Sequence, residues 1–281
     1  MAVRARLRRR VTVRPDAATE LERLHHGATP LVVLNVWDVF SAKIAERAGA
    51  RCIGTTSAAV ARALGYEDGE LMPRPEMIAA VARIASATKL PVTADLEAGY
   101  GATPDDVAET VRLALESGVV GFNIEDGYTA AQRRDRKAPL RQLSEQVERL
   151  RAARAACDRA GVPDVVINAR VDVFVREVGP PEARVDLTLE RAAAYVAAGA
   201  RCIFPIMVRD RAAIGELVKG IAAPMNVLAL PGLPSLRERA DLGVRRVSGG
   251  GGGHRQAMAA AEQAARAVLG DGDLTALWTT P

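Results

Sequence analysis

Glu46-Arg-Ala-Gly-Ala-Arg-Cys-Ile53 returns almost unchanged as Val196-Ala-Ala-Gly-Ala-Arg-Cys-Ile203. Each stretch reads as a helix end, a glycine that closes it, and the start of a buried strand. Leu115-Glu-Ser-Gly-Val-Val-Gly-Phe122 and Ala240-Asp-Leu-Gly-Val-Arg-Arg-Val247 share the pattern. A helix-to-strand joint met four times marks a chain built of repeated βα units.

Outward from these joints, eight apolar runs have strand length: residues 31–36, 52–55, 91–95, 119–124, 164–169, 201–206, 225–230 and 244–248. Helical patterns follow at 42–48, 74–88, 103–116, 144–159, 187–198, 209–221, 235–241 and 255–269. Eight alternating units in 281 residues predict an α/β fold, a (β/α)8 TIM barrel. A doubly wound open sheet would carry a phosphate loop after its first strand, and none is present. The barrel is expected over residues 29–281 as a single domain, preceded at 1–28 by a basic arm and a short helix.

Hydrophobic residues make up 49% of the chain and charged residues 26%, the balance of a soluble globular protein rather than a disordered one. Aromatics at 4% are too few for a surface that stacks nucleic-acid bases. No apolar run approaches a membrane span of ~20 residues. The net charge of +4 comes from Arg4, Arg6, Arg8, Arg9 and Arg10, and the rest of the chain is close to neutral. We read that arm as a solvated terminus and expect neither a nucleic-acid nor a membrane partner. Cys52, Cys157 and Cys202 have no metal-binding spacing, and two fall in buried strands, which suits a reducing cytoplasm. His25 and His26 precede the barrel and read as surface residues, and the glycine run 249–253 before His254 reads as a flexible loop.

A TIM barrel carries its chemistry at the C-terminal strand ends. In Pro91-Val-Thr-Ala-Asp-Leu-Glu-Ala-Gly-Tyr-Gly101, Asp95 and Glu97 are two residues apart, so a strand would point both carboxylates the same way. Gly99 and Gly101 follow where a tight turn or a close approach is needed. Adjacent anions at a buried strand end require a cation or a proton, and carboxylate and water oxygens suit Mg2+. By the same parity Asn123 and Glu125 share a face, as do Asn168 and Arg170. The result is an inward cluster of three carboxylates and one arginine, suited to a small anionic carboxylate held beside a metal. Strand-end acids such as Asp126 and Asp172 can equally be helix caps or ion-pair partners. The polar stretch 126–139 could cover the site.

These motifs resemble the isocitrate lyase and phosphoenolpyruvate mutase superfamily over residues 31–269. The matching stretches are Thr55-Thr-Ser-Ala58, Leu64-Gly-Tyr-Glu-Asp68, Asp95-Leu-Glu-Ala-Gly-Tyr-Gly101, Gly121-Phe-Asn-Ile-Glu-Asp126, Asn168-Ala-Arg-Val-Asp172 and Gly243-Val-Arg-Arg-Val-Ser248. The resemblance implies a barrel whose last helix is swapped between subunits of a homodimer or homotetramer. It implies Mg2+, or Mn2+, with Asp95 as direct ligand and Asp68, Glu97 and Glu125 acting mainly through water. It assigns Thr55, Thr56 and Ser57 to a turn whose amides hold substrate, and Arg170 to the substrate carboxylate. Family substrates are 2-oxo or 2-hydroxy acids that pass through an enolate. On this reading Asn123 and Asn168 are further substrate contacts, and Arg170, Glu125 and Tyr100 are the catalytic candidates. Tyr128 and metal-bound water are alternative proton carriers.

The departures are as specific. The superfamily's lyases carry a cysteine acid on the loop after strand four, and here that loop reads Asp126-Gly-Tyr-Thr-Ala-Ala-Gln-Arg-Arg-Asp-Arg-Lys137. Where they place a glutamate after strand six, this chain has Phe204-Pro-Ile206. The expected activity is Mg2+-dependent C–C cleavage, or the reverse condensation, beside a 2-oxo or 2-hydroxy carboxylate. An oxaloacetate-type decarboxylase or hydrolase, and a non-catalytic metabolite-binding barrel, are the rival readings.

Overall fold

Eight parallel strands alternate with helices in the computed structural model, which describes residues 13–133 and 138–278. The strands are β1 (Leu31–Val36), β2 (Ile53–Thr55), β3 (Val92–Asp95), β4 (Gly121–Glu125), β5 (Val166–Val171), β6 (Cys202–Pro205), β7 (Asn226–Leu228) and β8 (Arg246–Ser248). They pair in the order β6-β5-β4-β3-β2-β1-β8-β7, and a parallel bridge between Ile203 and Met225 brings the two ends of the ring together. The TIM barrel expected from the repeat is thus observed. Its joints explain it: Gly49, Gly118, Gly199 and Gly243 all have φ between 88° and 101°, the left-handed conformation that ends a helix and turns the chain into the next strand. The arginine arm at 1–10 and the charged residues 134–137 lie outside the described residues.

Helix α1 (Pro15–His25) closes the N-terminal end of the barrel. Ala18, Leu21 and Leu24 are buried, and a Cβ on Gly121 would come within 2.7 Å of Leu21 Cδ2, so β4 needs glycine there. His25 corrects the sequence reading. It is buried, not on the surface, because it lies four residues beyond Leu21 on the same helical face. Its Nδ1 lies 2.8 Å from the Leu21 carbonyl, and its Nε2 lies 3.5 Å from Arg246 Nη1. Burial, with Arg246 beside it, holds the imidazole down at about 3.

The outer ring comprises α2 (Val39–Arg47), α3 (Ser57–Ala63), α4 (Arg74–Ser86), α5 (Pro104–Glu116), α6 (Leu143–Arg159), α7 (Arg184–Ala197), α8 (Arg211–Gly220), α9 (Leu236–Asp241) and α10 (Gly252–Arg266). Three differences from the sequence reading matter. Helix α3 follows β2 directly, where seven residues, five of them Ala or Ser, are too short and uniform a run for periodicity to show. Strand β5 runs to Val171, which puts Arg170 inside the strand. Gly252 and Gly253 are the first turn of α10, not a loop, and His254 behind them is buried edge-on against Trp37 at 5.1 Å between ring centres.

The outer face of β1 is open: Val32 and Leu34 are 40% and 41% exposed, although parallel strands are normally covered on both faces. No described helix is long and apolar enough to cross a membrane.

Candidate active site

The chain leaves β3 through an unusual turn. Glu97, Gly99 and Tyr100 have φ of 51°, 94° and 57°, and two of the three are not glycine. Each such residue costs on the order of 1 kcal/mol or more, and strain of this kind gathers at functional sites. The turn is tied down accordingly. Gly99 N donates to Leu96 O at 2.8 Å, Glu125 N donates to Glu97 O at 2.8 Å, and Thr110 Oγ1 donates to Gly99 O at 2.8 Å. The buried Arg149 guanidinium donates to the carbonyls of Ala98, Gly101 and Ala102. Gly101 is required by proximity, since a Cβ there would overlap the Asp106 side chain.

Asp95 ends the strand and Glu97 lies beyond it, so strand parity does not bring them together. The left-handed residue at 97 does. Ser57, Asp68, Glu97, Glu125 and Arg170 line one cavity of about 230 Å³ at the C-terminal strand ends. Asp95 adjoins it, accepting from Ser57 N at 3.2 Å, while Asp95 N donates to Thr55 Oγ1 at 2.9 Å. The Ser57 amide expected to face substrate therefore orients Asp95. The Thr55 carbonyl accepts from Asn35 Nδ2 at 2.8 Å, and Thr56 precedes α3 without a side-chain cap bond. Asn168 Nδ2 donates to Asn123 Oδ1 at 2.8 Å, and neither asparagine is among the cavity-lining residues.

Arg170 is held from two sides. Its Nη1 lies 2.5 Å from Glu125 Oε2, and its Nε and Nη2 donate to Asp172 Oδ1 and Oδ2 at 2.6 and 3.1 Å. Behind it, Asp172 N donates to Asp126 Oδ1, while Asp126 Oδ2 accepts from Tyr195 OH at 2.7 Å and Arg191 Nη1 at 3.1 Å. Asp126 and Asp172 are thus buried ion-pair partners rather than helix caps. Asp38 is the cap, accepting from Ser41 N at the start of α2.

The electrostatics lean toward a missing positive charge. Desolvation, with Asp68 and Asp95 nearby, pushes Glu97 up to about 8. Desolvation raises Glu125 well above the usual carboxylate range, against the pull of Arg170 and helped by Asp172 and Asp95. Asp68, at the exposed mouth, is raised by partial desolvation and by Asp95, an effect that solvent screening weakens. Arg170 is shared between Glu125 and Asp172, and Asp172 also pairs with Arg176 Nε at 3.3 Å, so the arginines only partly offset Asp68, Asp95, Glu97 and Glu125. Among the described residues no three acids close around a single point. A hard cation at this place would take one or two carboxylates directly and reach the others through water.

Two tyrosines considered as proton carriers are differently placed. Tyr100 OH donates to Glu97 Oε1 at 2.9 Å, and burial with Glu97 beside it keeps the phenol protonated. Tyr128 is buried under the Arg141 guanidinium at 4.6 Å and donates to Glu145 Oε2, pointing toward α6. Residues that the sequence reading missed complete the cavity: Thr129, Arg133 and Arg176 line it, and Glu70 supports it. Each sits on a loop, where no periodicity singles it out. A larger groove of about 700 Å³ between the loop after β5 and α8, lined by Phe174, Val185, Met207 and Glu216, has none of the strand-end acids.

A (β/α)8 barrel with acids and an arginine at its strand ends defines a class of enzymes, and comparison with known proteins narrows it. Residues 21–269 match the phosphoenolpyruvate phosphomutase family, and the chain belongs to that family. It is 36% identical to an uncharacterized protein of Mycobacterium tuberculosis, over 87% of both chains. It is 34% identical to an oxaloacetate decarboxylase of Ectopseudomonas mendocina, over 82% of this chain and 74% of that one. The solved structure of 2,3-dimethylmalate lyase, a member of the same superfamily, superposes with a TM-score of 0.78 at 29% identity, covering 91% of this chain and 88% of that one.

Proposed function

We propose that this protein is a Mg2+-dependent enzyme, with Mn2+ as a substitute, that breaks or forms a C–C bond beside a 2-oxo or 2-hydroxy carboxylate. The observation that carries the reading is the strand-end cavity itself: Asp68, Glu97 and Glu125 line it, Asp95 adjoins it and Asp172 lies behind, five carboxylates against the three guanidinium groups of Arg133, Arg170 and Arg176. Asp95 would hold the cation directly, and Asp68, Glu97 and Glu125 would hold its waters. When bound, the cation supplies Lewis-acid polarisation of the substrate's oxo or hydroxy oxygen. The chain's own groups do the rest. Arg170 Nη1 turns from Glu125 to the substrate carboxylate, with Asp172 fixing the plane of the guanidinium. Tyr100 holds Glu97 in place by its hydroxyl. The loop over Thr129 and Ala130 excludes water from the reacting carbon.

A second reading is favoured by one feature. The loop after β4 has no cysteine to act as acid, and decarboxylation or hydrolysis of an oxaloacetate-like acid needs none. Similarity to an oxaloacetate decarboxylase supports it. A panel of 2-oxo and 2-hydroxy acids assayed for pyruvate, for CO2 and for oxalate, the product of hydrolytic cleavage, with and without Mg2+, separates these outcomes. Stabilisation by a panel acid with no product from any would instead support a metabolite-binding barrel.

We also propose that the chain works as a homodimer or homotetramer in which the last helix crosses to a partner subunit. Val32 and Leu34 on β1 lack a covering helix, Phe40 and Ile44 on α2 are exposed, and Leu269, Leu274 and Trp278 beyond α10 are exposed as well. Together they leave an apolar face and an apolar tail of matching character.

A further inference from the structure

Glu70 is bonded on both sides of the site. It lies between α3 and α4 with φ of 61°, a strained conformation for a glutamate. Toward the metal-site acids, its N–H donates to Glu97 Oε2 at 2.7 Å, and its Oε1 accepts from Tyr100 N at 2.7 Å. Toward the loop after β4, its Oε2 accepts from Gln132 Nε2 at 2.7 Å and from Thr129 Oγ1 at 3.3 Å. The two loops are also in backbone contact: Ala131 N donates to Gly69 O at 3.0 Å, and a Cβ on Gly69 would meet Ala130 at 2.7 Å. Gln132 is held for its task, since its Oε1 accepts from Arg141 and leaves only its amide N–H groups for Glu70.

We propose that Glu70 is a positioning residue that couples docking of the loop after β4, through Thr129 and Gln132, to the arrangement of Glu97 and Tyr100. One oxygen serves the loop and the other serves the turn after β3. When the loop lifts, Oε2 loses both side-chain donors, and the carboxylate that orients Tyr100 N is freed to rotate. When the loop is docked, the same carboxylate is fixed at both ends, and Glu97 accepts from two donors, Glu70 N and Tyr100 OH. Coupling of this kind is reciprocal: whatever orders Glu97 tightens the loop. The link between loop and turn stands on these contacts alone. Its extension to metal affinity rests on the Mg2+ reading above.

The oxygen assignment gives a test that simple damage cannot mimic. In Glu70→Gln, Oε1 can still accept from Tyr100 N, but an NH2 now faces the Gln132 NH2. The single variant Gln132→Glu places two carboxylates together. The double variant E70Q/Q132E restores one donor and one acceptor in the opposite sense. Trypsin cleavage after Arg133 in the native full-length protein, without added metal, reads loop docking. Both single variants should be cut about tenfold faster than wild type, the scale of a lost hydrogen bond to a charged group, and the double variant should return to within about threefold. Thr129→Val, which leaves the Glu70 loop untouched, should give a smaller increase. In parallel, Mg2+ alone should slow cleavage of wild type and of the double variant, and protect E70Q less. Equal cleavage of wild type and E70Q, or no recovery in the double variant while all remain folded by circular dichroism, overturns the proposal. Recovery without any response of wild type to Mg2+ supports the coupling of loop and turn and refutes the metal reading instead.

Discussion

Asp172 grips Arg170 through both carboxylate oxygens, at 2.6 and 3.1 Å, from two residues along the same chain. Neighbours two apart normally share a face of a strand, and here β5 ends at Val171, so the chain turns just where the acid can reach back. Asp172 is buried while Arg170 opens onto the cavity, and Asp126 anchors the acid from behind. Asp172→Asn keeps the volume and removes the charge. It should raise KM for the carboxylate substrate by roughly tenfold to a hundredfold while kcat falls less, because positioning of the substrate suffers first. Asp172→Ala removes the shared partner of Arg170 and Arg176 and should lower the urea midpoint more than Asp172→Asn does, with Glu125 still pairing Arg170. Equal losses in kcat and KM terms for Asp172→Asn would show that Asp172 does more than orient Arg170.

Acid should destabilise the fold through His25. Its folded value is depressed to about 3 from an unfolded value near 6.5. Between those limits the unfolded chain binds a proton that the folded chain refuses, so stability falls as pH drops through that window, by about 1.4 kcal/mol per unit at most from this group. His25→Gln should flatten the dependence of urea midpoint on pH between 6 and 4. An unchanged slope would place the sensitivity elsewhere.

Glu97 predicts the opposite coupling for metal. Raised to about 8, it is protonated in the folded protein at pH 6 and must release that proton to serve a cation. Mg2+ affinity measured by calorimetry should therefore strengthen from pH 6 to pH 8, with proton uptake by the buffer. Glu97→Gln should bind more weakly and lose most of the pH dependence. Binding of equal strength at both pH values in wild type would remove Glu97 from the metal's surroundings.

The exposed apolar face predicts assembly. Leu34→Glu places a charge on the open side of β1, where the side chain is 41% exposed in the single chain and the barrel interior is not disturbed. Light scattering should find wild type as a dimer or tetramer and Leu34→Glu shifted toward monomer. A wild-type monomer at micromolar concentration would contradict the swapped helix.

The barrel was legible because its signal repeats. Gly49, Gly118, Gly199 and Gly243 each close a helix with a conformation only glycine adopts cheaply, and four such joints fix the period. Asp95, Glu125 and Arg170 were legible because strand ends are where a barrel does chemistry. Glu97 was found for an inexact reason: it reaches the cavity through a left-handed turn, and no pattern of residue types announces that an ordinary glutamate will adopt φ of 51°. Glu70, Arg133 and Arg176 stayed hidden because loops have no period, and their contacts join segments far apart in the chain. His25 was misplaced because a buried neutral imidazole and a surface one look alike in sequence. Its partner Arg246 lies 221 residues away.

The proposed function depends on a hard divalent cation binding beside Asp95 among the strand-end acids. Anomalous diffraction from crystals grown with Mn2+ tests it most directly, because Mn2+ replaces Mg2+ and scatters at its own wavelength. One strong peak is expected at coordination distance from an Asp95 carboxylate oxygen, with ordered waters joining it to Asp68, Glu97 and Glu125, and its loss in Asp95→Ala. Crystals of protein shown to bind Mn2+ in solution, with the peak elsewhere and nothing beside Asp95, would contradict it.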